Sequence, residues 1–278
     1  ITSGYTSVIT NIGATNNKGI ELSLNTINIR SKRFEWSTNV VFSRNINKIV
    51  HLYRSDINGD GREDDDLGNR WFIGKPINVG YDYVWDGIYQ DGDAIPAGKK
   101  PGDVRLKDLN GNGVVNADDR TIIGPTTEPN FRWGITNEFR LGGFSLSIFL
   151  NAMQGWVANI DELNMRNFTL PSRPFNMFDM DWWTPENRSN TNSSLTYVNS
   201  LGHGKYFSRN FIRIQDVTLS YAIPPTLLHK LKLSSGKVYI GGRNLHTFTK
   251  FPGLDPELGY NVNSLYPMPR TLSFGLNF

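Results

Sequence analysis

Apolar and polar residues alternate along several stretches of the chain, with the two-residue period of a β-strand. Within "FRWGITNEFRL", the apolar face carries Phe131, Trp133, Ile135, Phe139 and Leu141, and the polar face carries Arg132, Thr136, Glu138 and Arg140. The stretch "FSLSIFLNAM" alternates in the same way and follows after the short link "LGG". A tight turn between two alternating stretches predicts a β-hairpin.

The same alternation predicts seven strands over the whole chain. They lie at about 18–29, 34–48, 131–141, 143–153, 210–222, 237–247 and 270–278. The last strand, in "TLSFGLNF", is the clearest, because its apolar face carries Leu272, Phe274, Leu276 and Phe278 in unbroken alternation. Blocks of helix-forming residues are scarce, so the sequence predicts an all-β, antiparallel fold.

The links between these strands alternate between short and long. The long ones run over about 49–130, 154–209 and 248–269. Outer-membrane barrels join their strands by short periplasmic turns and long extracellular loops, whereas compact soluble domains rarely have so many long loops. If the last strand runs towards the periplasm, every long link falls on the extracellular side. The link lengths therefore favour an antiparallel transmembrane β-barrel.

Alternation alone does not separate a soluble sandwich, which turns its apolar face inward, from a barrel, which turns it to lipid. In the barrel, the side chains predicted to face lipid are Phe131, Trp133, Phe144, Leu146, Ile148, Leu272, Phe274 and Leu276. Those predicted to face the lumen are Arg132, Glu138, Ser145 and Ser147.

Composition excludes several other classes of protein. The 278 residues carry a net charge of +3 with a pI near 9.0, and no basic run is interleaved with aromatics, so a nucleic-acid partner is not indicated. Cysteine is absent, which excludes disulfide scaffolds, thiolate zinc sites and a Cys nucleophile. No stretch reaches the roughly 18 uninterrupted apolar residues of a membrane helix. The first residues, "ITSGYTSVIT", lack an initiator Met and a targeting signal, so we expect a processed or partial chain.

Six stretches, taken together and in this order, resemble the C-terminal portion of the SusC/RagA family of TonB-linked outer-membrane proteins. They are "NIGATNNKGIELSL", "PGDVRLKDLNGNGVVNADDRTIIG", "DWWTPEN", "VTLSYAIPPTLL", "GGRNLHTFTKFPGLDPE" and "PMPRTLSFGLNF". The resemblance implies a barrel of roughly 22 strands with a plugged lumen, of which this chain would be the C-terminal third. The plug domain and the TonB box are absent from the sequence.

What the resemblance implies about function is active import across the outer membrane of a Gram-negative, Bacteroidetes-like bacterium. The expected partners are a SusD-like surface lipoprotein, TonB acting through the missing N-terminal part, outer-membrane lipid, and an oligosaccharide or peptide cargo. Phe278 is expected to be the signal that the barrel assembly machinery recognises, since such strands end on an aromatic residue.

The segment "DLNGNGVVNADD" has the ligand spacing of an EF-hand calcium loop. Its candidate ligands are Asp108, Asn110, Asn112, the carbonyl of Val114, Asn116 and Asp119, with a glycine at position six. Position five is Asn and position twelve is Asp, so we expect weak calcium affinity, on the order of 0.1–1 mM. The alternative is a Gly/Asn turn that is rigid without metal, and the sequence leaves the two open. No other cofactor is predicted.

Aromatic residues in the predicted extracellular loops are candidates for stacking on cargo or for packing the loops together. They are Trp182, Trp183, Tyr206, Phe207, Tyr260 and Tyr266. The sequence has neither a metalloprotease nor a serine-hydrolase motif, and its four histidines are scattered, so we predict that the protein is not an enzyme. Two alternatives stay open: a secreted, calcium-stapled carbohydrate-binding protein, and a passive outer-membrane porin.

Overall fold

The structure is a computed structural model of the chain, and it describes residues 11, 13–160, 180–230, 232–258 and 268–278. Its strands, in chain order, are β1 (Ala14–Arg30), β2 (Phe34–His51), β3 (Val79–Asp82), β4 (Trp85–Ile88), β5 (Val104–Leu106), β6 (Thr121–Pro125), β7 (Phe131–Leu141), β8 (Phe144–Gln154), β9 (Val157–Asn159), β10 (Tyr206–Ser208), β11 (Phe211–Ala222), β12 (Lys237–Thr249) and β13 (Thr271–Asn277). A 3-10 turn covers Ala117–Asp119, and one short helix, α1, covers Pro225–Lys230. No helix among these residues is long and apolar enough to cross a membrane.

Seven of the strands form one antiparallel sheet in the order β1-β2-β7-β8-β11-β12-β13. Each strand in it pairs with the strand that follows it in the predicted set of seven, as in the wall of an up-and-down barrel. The prediction of an all-β antiparallel fold is confirmed. Several strands run further than predicted, and β1 begins at Ala14 because its pairing with β2 continues to His51.

One face of this sheet is apolar across its full width. The register aligns a single row of seven side chains, one from each strand: Ile29, Trp36, Phe139, Leu146, Leu219, Ile240 and Phe274. Much of this face is open, since Ile240 is 57% exposed and Phe274 is 89% exposed. All eight residues that the sequence assigned to lipid lie on this face.

The opposite face of the sheet is polar in the neighbouring row. That row runs through Arg30, Glu35, Arg140, Ser145, Ser220, Tyr239 and Gly275. Near the short turns the charges pair, with Arg30 Nε lying 3.0 Å from Glu35 Oε2 and Arg140 Nη1 lying 3.6 Å from Glu35 Oε1. The four residues that the sequence assigned to the lumen share this face.

Two glycines of the large sheet occupy positions where a larger residue would not fit, one in a short turn and one on the polar face. Gly142, at φ 58°, forms the β7–β8 turn in a conformation that glycine adopts readily. Gly275 lies against the ring of Tyr239, and an added Cβ would stand 2.6 Å from that ring's Cζ. A larger residue at either position would strain the turn or displace the tyrosine.

The three long links connect strand ends on the same side of the sheet, opposite the short turns. The first long link (52–130) contains two short antiparallel ribbons, β3–β6 and β4–β5, and the second (155–210) contains the ribbon β9–β10. The sequence did not predict these ribbons, because strands of three to five residues are too short for alternation to identify. The third long link (250–270) is described as far as residue 258 and again from residue 268.

The principal clusters of buried hydrophobic residues lie among these links, away from the faces of the large sheet. The larger cluster consists of Tyr83, Ile88, Val104, Leu106, Trp183 and Tyr197, and the smaller one of Ala158, Ile160 and Phe251. The apolar face of the sheet is thus left uncovered within the described part of the chain. A soluble sandwich would bury that face in its core, so this arrangement favours the membrane interpretation.

Candidate functional site

The long links form a packed assembly at one end of the sheet, and Trp183 is central to it. Trp183 is 8% exposed and its indole Nε1–H donates to Gln90 Oε1 at 2.9 Å. Gly102 N donates to Tyr89 O at 2.8 Å, and Ser194 N donates to Gly102 O at 2.8 Å, which joins the first and second links. Trp183 therefore packs the links together, and Trp182 lies against the same cluster.

The other candidate aromatics occupy different positions. Tyr206 lies in β10 beside Gly80, so close that an added Cβ there would stand 2.6 Å from Tyr206 Cε1. Phe207 is partly buried against the smaller cluster of the assembly. Tyr260 and Tyr266 lie outside the described residues. The described candidates therefore all take part in packing, and Phe207 also lines a cavity.

The segment 108–119 forms a loop held by bonds from its own backbone to its own side chains. Gly111 N and Gly113 N donate to the two carboxylate oxygens of Asp108, each at 2.7 Å. Asn112 N donates to Asn110 Oδ1 at 3.0 Å, and Val114 N donates to Asn112 Oδ1 at 2.8 Å. Each of these side chains therefore already accepts a hydrogen bond within the loop.

Asp119 closes the loop from inside. It is fully buried, and its carboxylate accepts hydrogen bonds from the backbone of Asn116 at 2.9 Å, Leu109 at 2.8 Å and Asn110 at 3.3 Å. The hydrogen bond from Asn116 is the main cause that lowers the pKa of Asp119, and the bonds from Leu109 and Asn110 lower it further. Burial acts in the opposite direction. The ionised carboxylate is thus part of the folded loop.

The donor set of this loop offers calcium two carboxylates, Asp108 and Asp119, together with amide and carbonyl oxygens. Among the residues the structure describes, no group of three or more His, Asp or Glu side chains comes together as a metal site. The hydrogen bonds hold the loop without an ion, while oxygen lone pairs remain for a weakly bound hard cation. The residues therefore fit weak calcium binding and do not require it.

A second loop has the same local structure. Gly59 N and Gly61 N donate to the two oxygens of Asp56 at 2.8 and 2.9 Å, matching the bonds that Gly111 and Gly113 make to Asp108. Gly59 and Gly61 have φ of 74° and 81°, values that glycine tolerates without strain. The pattern Asp-x-Asn-Gly-x-Gly thus specifies one turn conformation twice in the chain.

Two buried arginines join the third long link to the rest of the assembly. Arg213, on the polar face of β11, is fully buried, and its Nη2 donates to both carboxylate oxygens of Asp255 at 2.8 Å. Its Nη1 donates to Glu257 Oε2 at 2.7 Å and its Nε to Thr247 Oγ1 at 3.0 Å. A buried guanidinium paired in this way is costly to leave with one partner removed.

Arg209 reaches the same segment from the second link. Its Nε donates to Pro256 O at 2.8 Å, its Nη2 donates to Glu257 O at 2.9 Å, and its guanidinium carbon lies 3.5 Å from the centre of the Trp156 ring. Its Nη1 also reaches Thr126 O of the first link at 3.4 Å. We call Arg209 and Arg213 the arginine clamp, because together they tie all three links to the strands.

The pattern of the sequence did not predict this clamp. Arg209 and Arg213 precede or interrupt an apolar strand, and their partners in the third long link stand more than 40 residues away, in the family-like stretch "FPGLDPE". The sequence signal for such a pair is an arginine at the start of an alternating strand, followed by an acidic stretch in the next long link.

A cavity of about 690 Å³ lies where the three links meet, and Lys205 forms part of its wall. Lys205 is 8% exposed. Its ammonium donates to Thr191 O and, at 2.9 Å, to Asn192 Oδ1. The same ammonium lies 4.6 Å from the centre of the Trp85 ring and 5.5 Å from that of Phe207, within cation–π range.

Burial lowers the pKa of Lys205 to about 8. At 1.36 kcal/mol per pKa unit this corresponds to about 3 kcal/mol against the charged form. No carboxylate pairs with this ammonium within the described part of the chain, and desolvation is the sole cause of the lowered pKa. The cavity therefore holds a desolvated cation that is paired with no carboxylate among the described residues.

His203 is a second buried polar group that the sequence pattern did not predict. It is fully buried, its Nε2 lies 2.8 Å from the Tyr197 hydroxyl, and its Nδ1 lies 3.1 Å from Gly204 O. A carbonyl accepts only, so Nδ1 carries a proton and donates to Gly204 O. The ring is therefore held within the second link, and its centre also lies 5.8 Å from that of the Trp85 ring of the first link.

Comparisons with known proteins give consistent results. A scan against models of protein families finds no match. The chain is similar to the TonB-dependent receptor P3 of Formosa agariphila, with 34% identity over 302 aligned residues that cover 99% of this chain and 30% of that protein. It is also similar to the TonB-dependent receptor SusC of Bacteroides thetaiotaomicron, with 26% identity over 95% of this chain and 26% of that protein.

Among solved structures, the fold is similar to that of the RagAB peptide transporter, with a TM-score of 0.71 and 24% identity over 99% of this chain and 30% of that chain. It is also similar to the RagAB peptide importer in an open-open state, with a TM-score of 0.73 and 23% identity over the same shares. The chain thus spans about 30% of the length of the curated relatives it matches. These relatives are named as receptors and transporters, and none is named as an enzyme.

Proposed function

Because this chain is part of a SusC/RagA-like TonB-dependent receptor, we propose that it forms a section of the barrel wall of an outer-membrane nutrient importer. The observation that carries this proposal is the apolar row that crosses all seven strands, from Ile29 to Phe274. Such a row suits hydrocarbon on one side of the wall and an aqueous or plugged lumen on the other.

The strand lengths agree with a membrane wall. Strands β7 and β8 each have 11 residues. At about 3.3 Å per residue and a tilt of about 40°, such strands rise about 28 Å, enough to cross an apolar band of about 25 Å. Trp36 and Phe139, stacked with ring centres 5.8 Å apart near the short turns, suit the aromatic belt at one membrane surface.

In this orientation the short turns face the periplasm and the assembly of long links faces the outside of the cell. The arginine clamp and the Trp183 cluster then give the extracellular links a fixed shape above the lumen. A SusD-like surface lipoprotein would meet this assembly, and TonB would act on a part of the receptor that lies beyond this chain.

The proposed cargo is an oligosaccharide or a peptide. The two RagAB structures are named as a peptide transporter and a peptide importer, which supports the peptide, and the oligosaccharide rests on the family resemblance of the sequence. Nothing in the large sheet selects between the two, because its polar face carries both charged and hydroxyl side chains that suit either.

Uptake measurements test the proposal. The full-length receptor would be deleted in its own bacterium and the uptake of labelled oligosaccharides and peptides compared with the parent strain. We expect uptake of one of these classes to be lost and to be lost also when TonB is deleted. Uptake that depends on the receptor but continues without TonB would instead indicate a passive porin.

A further inference from the structure

The cavity at the meeting point of the long links is built from all three of them. Trp85 and Asp86 come from the first link, Asp181, Lys205 and Phe207 from the second, and Pro252 from the third. Pro252 stands three residues before Asp255, which the arginine clamp holds, so the clamp also fixes this wall of the cavity. The cavity is therefore a product of the assembled links and of no single segment.

Lys205 is the unusual member of this wall. Its ammonium has two acceptors, Thr191 O and Asn192 Oδ1, for three N–H groups, and it lies against the faces of two aromatic rings. A neutral amide or hydroxyl would tie the same two acceptors together without desolvating a charge. The position is thus costly for a purely structural donor, and a buried cation is normally paired.

We propose that Lys205 binds a carboxylate group of the cargo in this cavity. The proposal rests on the proposed function and names the chemistry of that cargo. A carboxylate would accept the remaining N–H and supply the counter-charge that no described residue provides, and charge-assisted hydrogen bonds of this kind are stronger than neutral ones. Trp85 and Phe207 would flank the group that carries it.

The two acidic residues at the rim do not oppose this assignment. Asp86 is paired with Arg105, whose Nε lies 3.0 Å from its Oδ2. Asp181 accepts a hydrogen bond from the side-chain amide of Asn187. Both carboxylates are exposed and solvated, and they can accept from N–H or O–H groups elsewhere on the ligand.

Two sources supply the same carboxylate: the C-terminus or an acidic side chain of a peptide, and a uronic acid residue of an oligosaccharide. Four probes separate them. They are tetra-alanine with a free carboxylate, its C-terminal amide, trigalacturonic acid, and the methyl ester of trigalacturonic acid. Binding of each to the purified full-length receptor would be measured by calorimetry in detergent at pH 7.

We expect one acid to bind at least 10-fold more tightly than its neutral counterpart, and the acid that does so identifies the source. Lys205→Met should remove this preference, and Lys205→Arg should retain it within a few-fold. Lys100→Met is the matched control, since Lys100 is an exposed lysine of the first link whose ammonium donates to Thr196 Oγ1 at 3.0 Å. It should leave the preference unchanged.

Either of two results would overturn the inference. One is a native receptor that binds neither acid better than its neutral counterpart. The other is a Lys205→Met receptor that keeps the preference while its barrel still shows folded, heat-modifiable mobility on gels. TonB-dependent uptake by a receptor without the preference would preserve the proposed function and reject only the role of Lys205.

Discussion

Placing a charge on the apolar face of the sheet should destabilise the receptor in lipid, and Leu150→Arg is the sharpest such change. Leu150 lies on the apolar face of β8, opposite Ile135 of β7 and Ile214 of β11. It stands six residues above Phe144, where β8 begins at the short turn. At about 3.3 Å per residue and a tilt of about 40°, this is about 15 Å above the turn, close to the middle of the band.

The size of the effect follows from that depth. An arginine on the lipid face near the midplane costs about 2–4 kcal/mol, which lowers the folding equilibrium constant by roughly 30- to 1,000-fold. The matched control is Ser147→Arg, on the polar face, opposite Glu138 and Thr218. There the new charge can pair with Glu138, and an exposed pair changes stability by about 1 kcal/mol or less.

The assay is equilibrium unfolding of the full-length receptor in lipid vesicles by guanidinium, followed by tryptophan fluorescence and heat-modifiable gel mobility. We expect the midpoint for Leu150→Arg to fall well below those of the parent and of Ser147→Arg. Equal midpoints for the two arginine variants, or a larger loss for Ser147→Arg, would refute the assignment of the faces.

Three further predictions test other parts of the structure. Calcium should bind the 108–119 loop of the full-length receptor with a dissociation constant on the order of 0.1–1 mM, and Asp108→Asn should weaken calcium binding at least 10-fold. Calorimetry that finds no binding to the parent receptor would contradict this and leave only a turn stabilised by its own hydrogen bonds. Asp255→Asn leaves Arg213 buried with a weaker partner, so it should speed hydrogen exchange and proteolysis in 248–258 and cost up to about 3–5 kcal/mol of local stability. The control Asp216→Asn, in an exposed pair, should change neither rate. Equal protection of 248–258 in the two variants would show that the clamp does not hold the third link. A full-length receptor from which residues 275–278 are deleted should fail to accumulate in the outer membrane, because β13 loses its backbone pairing with residues 237–239 of β12. Normal levels of folded receptor in membrane fractions would contradict this.

The large sheet was predictable because its physical signal is repeated. In β8, for example, Leu146, Ile148 and Leu150 alternate with Ser145, Ser147 and Asn151, interrupted only by Phe149. The short link at Gly142 fixes the pairing with β7. Alternation identifies a strand and its faces together, since the side-chain period is two. Strand existence and orientation therefore followed directly from local sequence.

The assembly of long links was not predictable in the same way. The ribbons β3–β6 and β9–β10 are short, and they are held by contacts between residues far apart in sequence, such as Gly204 N donating to Asp82 Oδ2 at 2.8 Å. No local period marks such contacts. The 108–119 turn was the exception, because its Gly and Asn positions specify the backbone locally.

Buried polar groups were the least visible from sequence. Arg213, His203 and Lys205 look like ordinary solvated residues in an irregular context, and only the fold shows that each is buried and which atoms it meets. The sequence also assigned Trp183 to either cargo stacking or packing, and the structure places it within the loop cluster. Burial of polar side chains depends on long-range packing, which neither composition nor spacing records.

Whether the apolar face of the large sheet is turned to lipid is tested most directly by the accessibility of single positions along its strands. Cysteine is absent from this chain, so spin labels can be attached at Leu150→Cys, Leu219→Cys and Phe274→Cys, and on the opposite face at Ser147→Cys, Thr218→Cys and Ser273→Cys, in a full-length receptor without other cysteines. Collision with oxygen, which concentrates in lipid, and with a water-soluble nickel chelate would be measured in vesicles by electron paramagnetic resonance. We expect high oxygen and low nickel accessibility for the first three labels, and lower oxygen accessibility for the second three. Higher oxygen accessibility for the second three labels than for the first three, or equal accessibility in the two sets, would contradict a membrane wall with this face turned to lipid.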